Sequence, residues 1–374
     1  MKIGILTVPF NNNYGGYLQS FALMTILKRM GHEPTLVMRR HDKSKSTWKK
    51  RLKYFLKGIM HTIKSKSLCP LIYKVEGDYE YLGSNMHEFV EKWIQPLSPY
   101  LYSTDELKSY CHGSFDAYIV GSDQVWRSIY VPQIGNYFLD FTYGWHVKRI
   151  AYAASFGTDN PEYTNREIEV CRCLVRKFDA VSLREESGKK VFEKYNWSSE
   201  NLQVVLDPTL LLSADDYKNL VKNETQGNSD YIFYYVLDKN VKVSKVLDVV
   251  STKLNLPLSG ISNIQQDYKP LPSIEFWLSQ IMNSSFVVTD SFHGMVFSII
   301  FNKPFVVLVN ERRGADRFVS LLSILGLEER MIMNIQNLNR VFCHKVDWSK
   351  VNCILNIGQK NSISFIDKSL SDIK

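Results

Sequence analysis

Residues 284–310 read SSFVVTDSFHGMVFSIIFNKPFVVLVN. The run 284–290 has the length and β-branched content of a buried strand, and it ends on polar residues. From His293 to Phe301 the apolar spacing is helical, and PFVVLVN (304–310) is a second apolar strand. Strand, helix and strand in so short a span make one βαβ unit. Its two strands lie parallel and its helix covers one face of the sheet.

The same alternation extends in both directions. DYIFYYVL (230–237) and LPLSGIS (256–262) are strands, separated by a helix over 239–253 and followed by one over 274–282. Another helix follows at about 318–325. Upstream, KIGILTV precedes a helix from Tyr17 to Met30 closed by Gly31, and PTLVMRR is the next strand. FDAYIVG (115–121), RIAYAAS (149–155) and FDAVSLR (178–184) continue the series, with a helix at about 161–177. The two series meet at VVLDPTLLL (204–212). This pattern predicts an α/β chain of two Rossmann-like domains facing a cleft. The expected divisions are 1–208, with an insertion at about 41–100, then 209–345, then a C-terminal helical segment over 346–374.

A length of 374 residues suits two domains, and a hydrophobic share of 45% is that of a globular protein. The aromatic share of 13% fits a Tyr- and Phe-rich core as well as it fits sugar-binding faces. The opening MKIGILTVPF is too short and too soon polar for a secretory signal. No window approaches the ~20 apolar residues of a membrane-spanning helix. Six scattered cysteines suit a reducing cytoplasm. Cys171 and Cys173 form CxC with no second pair, and the histidines do not cluster, so no metal is expected.

The net charge of +8 is unevenly spread. From Arg39 to Lys66 eleven Lys or Arg face the single acid Asp42, leaving the remainder nearly neutral. Within it, Trp48, Leu52, Phe55, Leu56 and Ile59 form one helical face opposed by Lys49, Lys50, Lys53 and Lys57. Such a helix either lies on an anionic membrane surface through residues 43–66 or packs on its own domain with a solvated basic face. Nucleic acid is the weakest of the three readings. The expected location is the cytoplasm, peripheral to the inner face of the membrane.

Ligands of open α/β sheets sit outside the carboxyl ends of the strands, and five segments fall there. In NNNYGGYLQS (11–20), glycines let backbone approach a ligand at a helix N-terminus, though a plain glycine turn reads the same way. GSDQVWR (121–127) offers Asp123 as a base toward a sugar hydroxyl and Trp126 as a stacking surface. Its rival reading is a helix cap by Ser122 and Asp123. Arg184, ending FDAVSLR, suits bidentate contact with carboxylate or phosphate unless Glu185 or Glu186 pairs with it. His293, between Ser291 and Gly294, is the side chain whose proton moves near neutral pH. ERRGADRF (311–318) groups Arg312, Arg313 and Arg317 around Gly314 as an anion site.

At these segments the chain resembles the polysaccharide pyruvyltransferase family. The pieces NYGGYLQSFAL, GSDQVW, RIAYAASFG, SLREESG, LDPTLLL, TDSFHGMVFSIIFNKPF and RGADRFVSLLS occur in the family's order from Asn13 to about Leu325. The resemblance implies a GT-B-like glycosyltransferase architecture, phosphoenolpyruvate as donor and no cofactor. The product would be a pyruvate ketal on a sugar, commonly the 4,6-ketal of a galactose in a polysaccharide or lipid-linked precursor. Donor contacts then fall to Arg184, Ser291, His293, Gly294, Arg313 and Arg317. Acceptor contacts fall to Asn13, Tyr14, Gly15, Gln19, Asp123, Gln124 and Trp126. His293, Asp123 and Arg184 would be catalytic. Better-known members often have Arg-Leu-His where this chain has Ser291, Phe292 and His293, so an arginine must come from elsewhere, such as Arg313 or Arg317. Two other functions share the architecture: a nucleotide-sugar glycosyltransferase and a non-catalytic polysaccharide-assembly protein.

Overall fold

The computed structural model of the chain describes residues 1–41, 82–199, 201–222, 230–238, 241–262, 270–309, 314–333 and 335–371. Two sheets divide it, and every strand pairing in both is parallel. The first sheet has the order β2-β1-β3-β4-β5-β6. Its strands are β1 (Lys2–Leu6), β2 (Glu33–Leu36), β3 (Ala117–Val120), β4 (Lys148–Ala154), β5 (Ala180–Leu183) and β6 (Gln203–Val204). The second has the order β11-β10-β9-β7-β8. It is built from β7 (Ile232–Val236), β8 (Leu258–Ser262), β9 (Phe286–Thr289), β10 (Phe305–Leu308) and β11 (Met331–Ile332).

The first domain carries the helices α1 (Tyr14–Arg29), α2 (Ser84–Trp93), α3 (Thr104–Cys111), α4 (Asn165–Val175) and α5 (Ser187–Lys194). Beyond the junction come α6 (Ala214–Lys218), α7 (Val241–Leu254), α8 (Ile274–Asn283), α9 (Phe292–Ile300), α10 (Asp316–Leu325), α11 (Leu338–Cys343) and α12 (Trp348–Leu370). Local chemistry sets their ends. Asn13 and Ser291 cap α1 and α9, Thr164 and Glu167 form a capping box on α4, and Gly326 ends α10 at φ +66°. The expected βαβ unit is β9–α9–β10, with Phe305 paired to Val287. All four β9 residues are buried, as a strand covered on both faces requires.

The basic segment 43–66 lies outside the described residues, as do Arg312 and Arg313. The end of the expected insertion belongs to the core. Helix α2 buries Met86, Phe89 and Val90, with Phe89 edge-on to Phe21 of α1 at 5.8 Å. The chain then runs beside β2 through bridges Leu36–Leu97 and Arg39–Leu101. It also ties the two domains together, since Leu271 N donates to Leu82 O at 2.8 Å and Asn85 donates to Leu271 O at 2.9 Å.

Helix α12 returns to the first domain. Leu206 N donates to Ser362 Oγ at 3.0 Å, and Gln359 donates to Leu210 O at 2.7 Å. The Lys148 ammonium meets the last carbonyls of α12 at Ser369, Leu370 and Ser371, a favourable end for a cation. Among the described residues no helix is long and apolar enough to cross a membrane. Strand order reverses between β1 and β3 and again between β7 and β9, which opens a crevice at each carboxyl edge. The two crevices meet in one site.

Candidate active site

The first domain contributes from five strand ends. After β3, Asp123 adopts φ +72°, a costly conformation for a residue with a side chain. It is held by Ser155 N donating to Asp123 O at 3.1 Å and by a bridge to Ala154 at the irregular end of β4. Strain of that kind persists only where surrounding bonds fix it. After β5, Arg184 and Glu185 are buried, and after β6 so is Asp207. The turn after β1 brings Gly15.

The second domain contributes two helix starts. Ser291 Oγ accepts from Gly294 N at 3.4 Å and fixes the first turn of α9, where His293 projects. A Cβ on Gly294 would stand 2.3 Å from Thr289 Oγ1, so the helix can pass this close to β9 only with glycine here. Arg317 occupies the first turn of α10.

These groups converge on Arg184. Its Nη1 donates to Asp207 Oδ2 at 2.9 Å, its Nη2 reaches Asp123 Oδ1 at 3.5 Å, and its Nε lies 3.6 Å from Glu185 Oε2. Its guanidinium stands 4.7 Å over the Phe292 ring, which Arg317 also approaches at 5.6 Å. Asp207 further accepts from Ser122 Oγ at 2.9 Å and from Thr209 N and Oγ1 at 3.0 and 2.7 Å. Glu185 Oε1 accepts from Ser155 Oγ, Phe156 N and Gly157 N at 2.7, 3.1 and 3.2 Å. His293 Nε2 stands 3.8 Å from Asp207 Oδ2.

The charges are unevenly satisfied. Burial would raise the Asp207 carboxyl, but the Arg184 cation and the Thr209 bonds, with whatever charge His293 carries, override it and hold it below the usual carboxylate range. His293 moves down: burial disfavours its cation, Arg184 and Arg317 repel it, and Asp207 and Asp123 only partly compensate. Arg317 is pushed down to about 10 by burial and by Arg184. Among the described residues Arg317 makes no hydrogen bond or ion pair, and its Nε is buried without a partner. Arg184 Nε, Glu185 Oε2 and His293 Nε2 are likewise buried without a hydrogen bond, the first two facing each other at 3.6 Å and the third standing 3.8 Å from Asp207. Buried polar atoms without hydrogen bonds are rare in folded proteins, and their grouping at these strand ends makes this the candidate site. Among the described residues no group of three or more His, Cys, Asp or Glu is placed to hold a metal ion.

The sequence-derived residues divide clearly. Asp123, Arg184, His293, Ser291, Gly294, Gly15 and Arg317 come together, while Arg313 lies outside the described residues. Trp126 does not form a stacking surface. It is wholly buried, stacked on Phe138 at 4.8 Å, and its indole N–H donates to Tyr137 O. Tyr14 is not open to an acceptor either. It stacks on Trp277 at 5.1 Å and donates to Pro272 O, so it cements the domain junction. Gln19 is buried and donates to Thr7 Oγ1 at 2.7 Å, bracing the β1 turn. Asn13 caps α1, and Gln124 accepts from Arg127 at 3.2 Å. Ser122 and Asp123 cap no helix; the Ser122 hydroxyl goes to Asp207. Asp207 and Glu185 are functional candidates that sequence reasoning passed over. Asp207 sits at a strand end, the same signal that singled out Asp123, and Glu185 was weighed only as a rival partner for Arg184.

Gly15 and His293 are in close contact across the cleft. A Cβ at Gly15 would lie 1.8 Å from His293 Nδ1. Gly15→Ala should therefore displace the imidazole while leaving α1 intact, since alanine is the better helix former. Misplacement by an ångström costs ~10²-fold in turnover. Wild-type kcat with an unchanged Tm would show that His293 need not sit where it does.

Residues 13–312 match the family described as polysaccharide pyruvyl transferase. No curated protein matches the chain in sequence. Among solved structures, it is similar to a UDP-GlcNAc 2-epimerase from Neisseria meningitidis bound to UDP-GlcNAc, with 12% identity over 99% of each chain and a TM-score of 0.55. It is also similar to a UDP-GlcNAc 2-epimerase from Methanocaldococcus jannaschii, with 12% identity over 93% of each chain and a TM-score of 0.52. UGT89C1 from Arabidopsis thaliana complexed with quercetin gives 10% identity over 98% of each chain and a TM-score of 0.51. At such identities the likeness concerns the fold alone, and that fold is GT-B.

Proposed function

Because the chain belongs to the polysaccharide pyruvyl transferase family, we propose that it transfers the enolpyruvyl group of phosphoenolpyruvate to a sugar as a pyruvate ketal. In this reading the acceptor is a galactose of a polysaccharide or lipid-linked precursor, and its 4- and 6-hydroxyls close the ring. Contact of segment 43–66 with an anionic membrane belongs to the same reading, as does work at the cytoplasmic face.

The observation that most supports it is Arg317, a buried cation with no ion pair among the described residues, which shares the Phe292 ring with Arg184. Phosphoenolpyruvate carries a carboxylate and a phosphate, and Arg317 supplies what the substitution at Ser291 removes. Arg184 is already engaged by Asp207, Asp123 and Glu185. Its part is to orient those carboxylates and lend charge to the donor, with Arg317 as the main anchor.

The chemistry then runs in two additions. His293, as the cation, gives its proton to the methylene carbon of the donor, making C2 electrophilic. Asp123 takes the proton of the first sugar hydroxyl as its oxygen bonds to C2. The phosphate then departs from C2, and the second hydroxyl forms the second C–O bond there. Of the two protons released by the hydroxyls, one restores His293 and the other leaves with phosphate. No water, oxidant, metal or cofactor enters this balance.

In the empty site His293 favours its neutral form. A bound anion beside it raises its pKa, so donor binding takes up a proton. Affinity gained this way is fully present below the pKa of the free site and is lost as pH rises through that of the complex. Calorimetric titration with phosphoenolpyruvate in buffers of different ionisation enthalpy should show net uptake, and affinity should weaken with rising pH. Zero uptake near neutral pH would mean that His293 stays neutral in the complex.

Phosphoenolpyruvate should raise Tm where uridine diphosphate does not, and phosphate release should depend on an added galactoside. Stabilisation by uridine diphosphate alone would favour a nucleotide-sugar transferase.

A further inference from the structure

We propose that the acceptor sugar ring lies on Tyr130, at the mouth of the cleft, in the role that the buried Trp126 cannot fill. This rests on the transfer reading above and adds to it the surface that receives the glycan.

The segment that follows Asp123 carries its side chains in two directions. Val125 and Trp126 turn into the core, whereas Ile129 and Tyr130 are 55% and 39% exposed. Large apolar side chains left in water beside a site are commonly binding surfaces. Tyr130 is nonetheless fixed. Its N–H donates to Arg127 O at 3.0 Å, and the Arg127 guanidinium stands 5.0 Å over its ring. Arg127 is itself held by both oxygens of Glu162, at 2.6 to 3.2 Å, and by Gln124. Ser128 Oγ donates to Glu162 O at 2.9 Å and closes the turn. A ring braced on one side by a locked cation offers its other side at little entropic cost.

Its position suits an acceptor. Tyr130 is on the same strand-end segment as Asp123, the proposed base, and the Arg127 cation beneath it bonds to Gln124 of that segment. The second domain closes against this segment, since a Cβ on Gly314 would meet Gly157 O at 1.6 Å and one on Gly157 would meet Gln124 Oε1 at 1.9 Å. The chemistry expected on such a ring is a pyranose. Its axial C–H bonds rest on the π face while its hydroxyls point toward Asp123.

The test compares wild type, Tyr130→Ala and Tyr130→Phe. With phosphoenolpyruvate saturating, Tyr130→Ala should raise the KM for methyl galactoside about tenfold with kcat little changed, as loss of uniform binding does. Tyr130→Phe, which keeps the ring, should stay within about twofold. Stabilisation by phosphoenolpyruvate alone should be equal in all three. An acceptor KM untouched in Tyr130→Ala overturns the proposal. Saturation-transfer spectra of methyl galactoside, methyl glucoside and methyl mannoside separate this from failure of the transfer reading. If wild type binds a glycoside and Tyr130→Ala does not, the surface stands even where no phosphate is released. If wild type binds none of them, it falls.

Discussion

Replacing His293 with alanine is expected to lower kcat by ~10²–10⁴-fold, the usual worth of a positioned general acid. The residue lies in the first turn of α9, and its ring is enclosed by Gly15, Phe292 and Asp207. Removing a buried ring leaves a hole, so some loss of stability accompanies the variant. His293→Gln keeps most of the volume and an amide donor but carries no transferable proton. Both variants should therefore lose turnover to a similar extent, while only the alanine form loses Tm. Near-normal phosphate release by either would remove His293 from proton transfer. Recovery by glutamine alone would reduce its part to a hydrogen bond.

The second large effect separates binding from folding. Arg317 is buried, without a hydrogen bond or ion pair among the described residues, and repelled by Arg184, so its charge costs the fold stability. Arg317→Met keeps an unbranched side chain against Phe292 and Phe318 and removes the charge. Affinity for phosphoenolpyruvate should fall ~10²-fold, as when one side of a buried charge pair is lost. The Tm of the free enzyme should hold or rise. Arg184→Met should behave in the opposite way, because it strands Asp207 and Glu185 and costs ~3–5 kcal/mol of stability. A drop in Tm for Arg317→Met with donor affinity intact would make Arg317 a structural residue.

Much of this could be read from the chain itself. The β9–α9–β10 unit is announced by two apolar runs of strand length around a helix-spaced run with a serine at its start, and those signals are local. The strand-end rule located Asp123, Arg184 and His293 without any view of the cleft, because it depends only on where each strand stops. Local sequence could not show what folds over a residue. Trp126 looks like a stacking surface at a strand end, yet Phe138, Phe156, Phe178 and Phe192 close around it from other segments. Asp207 opens an Asp-Pro-Thr turn for which sequence reading assigned no role. It caps Thr209, but its other oxygen reaches Arg184 and Ser122, which only the folded chain brings near. Sequence likewise grouped three arginines near Gly314. That Arg317 makes no ion pair among the described residues follows from its burial, which spacing along the chain does not show.

In the proposed reaction one pyruvyl unit passes from phosphoenolpyruvate to two hydroxyls of one sugar, with a proton added at the methylene carbon. Mass spectra and proton spectra of the glycan after incubation with enzyme and phosphoenolpyruvate in deuterated water test it directly. The expected result is a gain of one pyruvate less one water, an equal amount of phosphate, and a new methyl group carrying a single solvent deuteron. An enolpyruvyl ether with its methylene intact, or phosphate released with no gain in glycan mass, would contradict it.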